Sequence, residues 1–227
     1  MRRQAIVFAI AVVGILGVVI PSSIPASAAA RPATPATPNL ILNGGAEARS
    51  GSSTGGVVPV PDWTDSTGAS FTAVKYGATG EGFPTATSPG PPKRGVNFFA
   101  GGPNDPNDSI VATQTVNLAP YVTSIKGGHV MAKIIGWLGG SGTRTDEAFV
   151  ELDFKNKNGS LTGNSLTLGP VTESDRGGVT ELLKRTDVGA VPKNARSAYV
   201  QLSFGRESGQ TYNDAFMDDI TLILSGT

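Results

Sequence analysis

The chain reads as an all-β protein, an antiparallel β-sandwich with the strand number of a jelly roll. Three observations predict it. Apolar residues alternate with polar ones in short runs, which is the pattern of strands with one face packed on a core. Thirty glycines fall in clusters between those runs, as turns would require. The only helix-like segment, 179–185 (VTELLKR), is about two turns long at most.

Strand candidates follow in order. Residues 40–42 open the domain, 71–76 (FTAVKY) alternate, and 96–100 (VNFFA) are short and aromatic. In 110–118, Ile110, Ala112, Gln114, Val116 and Leu118 share one face. The longest candidate is 129–138 (HVMAKIIGWL). Residues 149–154 turn Val150, Leu152 and Phe154 inward, and 199–204 do the same with Val200, Leu202 and Phe204. Residues 220–224 close the domain. Asn158-Gly159 is a hairpin signal. The proline-rich stretch 77–95 must be a long surface loop, and such loops are often functional. A last strand returning beside the first would close the sandwich.

Ahead of the domain, Met1-Arg2-Arg3, the apolar run 5–20 and Ala26-Ser27-Ala28 form a secretion signal covering 1–28. The run of about 16 residues is short of the roughly 20 that span a bilayer. Residues 29–38 (AARPATPATP) are a flexible Pro/Ala/Thr linker, and 39–225 form one domain. The expected location is therefore extracellular. Loss of Arg2 and Arg3 leaves the 18 acidic residues in slight excess, without the basic stripe that nucleic acid demands. The chain has no cysteine, which removes thiol catalysis, disulfides and Cys-based zinc sites.

His129 is the only histidine and stands at the head of a strand; a Ser-His-Asp triad would have to use it, and no Ser or Cys motif is assigned to it. The carboxylates Glu147, Glu151 and Asp153 read as solvent-facing strand residues, and Asp175 as a turn or helix cap. Oxygen-rich side chains gather at both ends of the domain: Asn43 and Glu47 near the start, Asp214, Asp218 and Asp219 near the finish. If the ends are neighbours, Glu47 and Asp219 with Asn43 and Asp218 offer the oxygen ligands that calcium takes. The loop Asn104-Asp105-Pro106-Asn107-Asp108 is a second oxygen-rich cluster, without the glycine and distal Glu of an EF-hand.

The segments NLILNGGAE (39–47), TQTVNL (113–118) and DDITLIL (218–224), with the stretch around Trp63, resemble carbohydrate-binding modules of the CenC type. These belong to the galactose-binding-like jelly-roll group. The resemblance implies the sandwich fold and a structural calcium held by Glu47, Asp219 and backbone carbonyls. Ala46 stands where that pattern has an aromatic residue. The resemblance carries no sugar site, so the binding residues are sought among aromatics that can stack on pyranose faces.

Trp137 shares a strand face with Lys133, which points to an open platform, and Tyr76 and Phe83 are the further ligand-binding candidates. The expected function is a secreted, non-catalytic protein that recognises extracellular or cell-wall carbohydrate and is stabilised by calcium. Contacts would come from the Trp137 face and the loops 77–95 and 103–108. A structural or adhesive surface protein that binds another protein is the alternative reading, and a carboxylate-dependent hydrolase the third.

Overall fold

The computed structural model describes residues 36–68, 70–80, 82–103 and 109–227. The signal, most of the linker and the 104–108 loop lie outside the described residues. Ten strands are found among them: β1 (Thr64–Asp65), β2 (Thr72–Lys75), β3 (Asn97–Pro103), β4 (Ser109–Asn117), β5 (Met131–Gly140), β6 (Glu147–Asn156), β7 (Leu166–Val171), β8 (Glu181–Ala190), β9 (Ala195–Gly205) and β10 (Tyr212–Ser225). They form two five-stranded sheets, ordered β1-β4-β9-β6-β7 and β2-β3-β10-β5-β8. Every strand pairing within them is antiparallel. The only α-helices among the described residues are α1 (Val122–Gly127) and α2 (Glu173–Arg176).

The alternation predicted from sequence is realised in the core. Ile110, Ala112, Val116, Val150, Leu152, Phe154, Val200, Leu202 and Phe204 from the first sheet are buried against Ala132, Ile134, Leu138, Met217 and Leu222 from the second. Each of the larger side chains among these contributes about 1.5–3 kcal/mol by leaving water. Trp63 is part of this core, edge-on to Phe99 at 5.7 Å, and its indole N–H donates to the Asn43 carbonyl.

A second, smaller apolar cluster lies on the outer face of the second sheet. Val74, Phe98, Ala100, Leu182, Tyr212 and Phe216 are buried there beneath Phe83 of the 77–95 loop. The loop is held down by backbone bonds from Gly77 N–H to the Pro84 carbonyl and from Leu182 N–H to the Pro89 carbonyl. The Arg94 guanidinium adds bonds to the carbonyls of Thr85, Ser88 and Pro91 at 3.0, 2.7 and 3.2 Å.

Three local expectations are corrected. Segment 179–185 is not a helix, because residues from Glu181 onward pair with β5 over ten registered positions and that ladder outweighs the modest helix propensity of Leu and Lys. Residues 40–42 belong to no strand, the chain bending at Ile41 into a turn at Leu42, yet Leu40 N–H still bonds the Leu222 carbonyl of the last strand. Asn39 replaces the ladder with its side chain, accepting from Leu222 N–H at 2.9 Å and donating to the Ile220 carbonyl at 3.2 Å. The anchored part of the domain begins inside the segment read as linker, where Thr37 N–H donates to the Leu224 carbonyl and its hydroxyl accepts from Leu224 N–H. Strand β7 had no sequence expectation. The Asn158-Gly159 turn forms as expected, with Gly159 at φ +80° and its N–H bonded to the Asn156 carbonyl.

Candidate functional site

Two features of the second sheet bear on function, and they adjoin each other. The first is the outer face of β5. Val130, Ala132, Ile134 and Leu138 point into the core, so Met131, Lys133, Ile135 and Trp137 must point out. Met131 and Lys133 are exposed, while Ile135 and Trp137 are partly so. Trp137 leans on the outer apolar cluster and lines a surface depression of about 440 Å³ with Pro92, Lys93, Ile135, Lys184, Asp219 and Thr221. Lys184 faces Trp137 directly across the β5–β8 ladder, and Thr221 faces Ile135 across the β5–β10 ladder.

The second feature is the meeting of the chain ends. Ile220 N–H donates to the Gly44 carbonyl at 2.8 Å, which brings the 43–47 turn onto the bulge of β10 between Asp218 and Thr221. Carboxylate oxygens of Asp218 and Asp219 each lie 3.5 Å from the position a Cβ would take on Gly45, with the Glu47 Cγ at 3.8 Å. Ala46 and Asp219 hold positive φ, at 59° and 51°, a strain that concentrates at sites where the surrounding structure imposes it.

Each carboxylate is differently held. Glu47 Oε1 accepts from both Val96 and Asn97 N–H at 2.8 Å. Gly95 allows this: at φ +67°, a Cβ there would press into the Glu47 carboxylate. Asp218 is fully buried, accepts from the Tyr76 hydroxyl at 2.7 Å and from Asp219 N–H at 2.7 Å. Burial pushes its pKa up to about 8, with the Asp219 and Glu47 charges adding and its hydrogen bonds opposing. Burial also raises the Asp219 carboxyl, with Glu47 contributing. The Tyr76 hydroxyl is raised as well, by burial first and then by Asp218.

No cation pairs with Glu47, Asp218 or Asp219 among the described residues. The donor set is all oxygen and anionic, which is the chemistry calcium takes. The side chains alone do not complete a metal centre: among the described residues no three Asp, Glu or His groups converge as ligands. A cation here would need backbone carbonyls too. Asn43 is committed elsewhere, its Nδ2 donating to the Pro61 carbonyl and its Oδ1 accepting from Ala48 N–H.

The remaining candidates separate clearly. Phe83 is buried among Phe98, Tyr212 and Phe216, so it has no face to offer a ligand. Tyr76 is half-buried, its hydroxyl given to Asp218 and its ring covered by the Arg94 guanidinium at 4.9 Å. Lys133 and Trp137 share the outer face as the alternation predicts. His129 is exposed just before β5. Glu147, Glu151 and Asp153 lie along one side of β6 and do not oppose one another across a cleft. Asp175 forms a capping box with Thr172 inside α2 itself. Lys93, Lys184 and Thr221 are the lining residues that sequence reasoning missed. For Lys184 the signal was present in the alternation of 181–190, but a helix was read over it.

No family model matches the chain, and no curated protein matches it. Solved structures do. The chain is similar to a family 16 carbohydrate-binding module at 19% identity and TM-score 0.47, covering 81% of this chain and 99% of that one. It is similar to the CBM22-1 xylan-binding domain from Paenibacillus barcinonensis at 12% identity and TM-score 0.40, covering 77% and 91%. The enzymatically active domain of bacteriophage CBA120 tailspike protein 4 matches at 12% identity and TM-score 0.47, over 81% of this chain and 21% of that one. The chain thus spans about a fifth of the tailspike domain. These likenesses do not confirm the narrower CenC-type assignment.

Proposed function

We propose that this protein is an extracellular, non-catalytic carbohydrate-binding domain that holds a glycan on the outer face of β5, β8 and β10. The observation that carries the proposal is the depression beside Trp137. It combines a part-exposed aromatic ring and the apolar Ile135 and Pro92 with hydrogen-bonding groups on Lys93, Lys184, Asp219 and Thr221. A sugar has the matching surface, an apolar ring face rimmed by hydroxyls. Export rests on the signal pattern of 1–28; no helix among the described residues is long and apolar enough to cross a membrane. The test is retention on insoluble polysaccharides and isolated cell walls, with Trp137→Ala expected to weaken binding by about ten-fold or more. A wild-type protein that binds no glycan, or a variant that binds equally well, would remove the proposal.

The proposal includes a structural calcium at the joined chain ends, held by Glu47, Asp218 and Asp219 together with backbone carbonyls. Bound there, the ion would neutralise carboxylates that the fold leaves without a cationic partner. The residues themselves bring the two ends of the domain together, so the ion would act on stability. Adding a chelator should lower the melting temperature, since a ligand held about a hundred-fold above its dissociation constant stabilises the native state by about 2.7 kcal/mol. An unchanged melting curve would eliminate the ion.

A further inference from the structure

The fully exposed charges around Trp137 are basic. Lys93, Lys133 and Lys184 are all exposed, and Lys93 and Lys184 line the depression itself. None of the three forms an ion pair among the described residues. Asp219 is the single acidic residue in the lining, and it is only partly exposed. Register also places Asp218 opposite Trp137, but it is fully buried and bonded to the Tyr76 hydroxyl; the remaining side chains on this face are neutral, Thr186 and Val188 on β8 and Thr221 and Ile223 on β10. The whole chain, by contrast, balances 18 basic against 18 acidic residues. The basic bias therefore belongs to this face.

Its geometry is linear. Lys184 stands across the ladder from Trp137, while Lys133 lies four residues back along β5, about 13 Å away at strand rise. That span exceeds one sugar ring and suits a chain lying along the strand. Ammonium groups spaced along such a path recognise repeated acid groups, and uncompensated like charges are relieved when an anion arrives.

We infer that the glycan held at Trp137 is an anionic polysaccharide, its rings against the indole and its acid groups paired with Lys93, Lys133 and Lys184. The inference rests on the carbohydrate reading above and narrows it. Carboxylates of uronic acids and sulfate esters share the chemistry, and the experiment separates them.

Binding would be measured by affinity electrophoresis and calorimetry with polygalacturonate, dextran sulfate and uncharged dextran, at low and high sodium chloride. The expected result is binding to at least one polyanion, the carboxylate and sulfate arms naming the acid group, with negligible binding to dextran. Each Lys→Gln variant should weaken binding about two- to five-fold, and salt should weaken it further. The lysines are exposed, so the variants should melt as the wild type does. Trp137→Ala should weaken binding to the same polyanion while keeping its salt dependence. Tight binding to uncharged glycans, insensitive to the lysine changes, would overturn this inference and leave the carbohydrate proposal standing. Polyanion binding indifferent to Trp137→Ala would overturn both, because the surface would then be reading charge and not sugar.

Discussion

Replacing Phe83 by alanine tests whether the 77–95 loop is a packed part of the sandwich. Its ring meets those of Phe98, Tyr212 and Phe216 at centroid distances of 6.1, 5.4 and 5.9 Å, and only 6% of the residue is exposed. Truncating a buried phenylalanine costs about 3–5 kcal/mol from lost burial and the cavity left behind. The site is roofed by a loop, which can partly collapse, so a loss of about 3 kcal/mol is expected. For a domain of this size that corresponds to a drop of about 6–12 °C in melting temperature. Urea denaturation and calorimetry would read the global loss, and limited proteolysis would read local opening of 77–95. Because Pro92 and Lys93 reach the Trp137 depression from this loop, glycan binding should weaken as well. A stability change below about 1 kcal/mol with no new cleavage in the loop would refute the reasoning, since the aromatic cluster would then not be holding the loop down.

Other perturbations follow from the joined ends and the short helix. In chelator, folding takes up a proton at Asp218 between the ordinary 3.8 and the folded value of about 8, so stability should fall as pH rises through that window. Asp218→Asn should make the decline shallower; parallel curves from denaturation at pH 5 to 8 would contradict it. Asn39→Ala removes bonds to Ile220 and Leu222 and should cost about 1–3 kcal/mol, with faster hydrogen exchange at the Leu222 amide as the local readout. Thr172→Ala breaks the capping box of α2 and should cost about 1 kcal/mol by the same denaturation assay, without changing glycan binding.

The strands most legible in sequence were those in which alternation coincides with a single buried face. Residues 110–118, 149–154 and 199–204 turned inward as their side chains predicted. Misreadings came where a local signal was overruled from a distance. Residues 181–190 carry helix formers, yet they edge the second sheet because β5 offers ten ladder partners. Residues 40–42 look like a strand, but Asn39 takes over the hydrogen bonds that a strand would make with Leu222 and Ile220. Of the four ligand candidates, Lys133 and Trp137 lie on the outer face that alternation on β5 predicted. Phe83 and Tyr76 were hidden by contacts with residues far along the chain, which no local pattern encodes.

By itself the sequence determined the fold class and the apolar faces, because side-chain alternation is a local consequence of strand geometry. It also marked the acidic and amide residues at the two ends. Only the tertiary structure decided that those ends meet, with Gly44 bonded to Ile220 and Asp218 buried against Tyr76. The same holds for the depression that gathers Lys93, Trp137 and Lys184 from a loop and two strands. Such groupings depend on which strands become neighbours, and that is set by the packing of the whole sandwich.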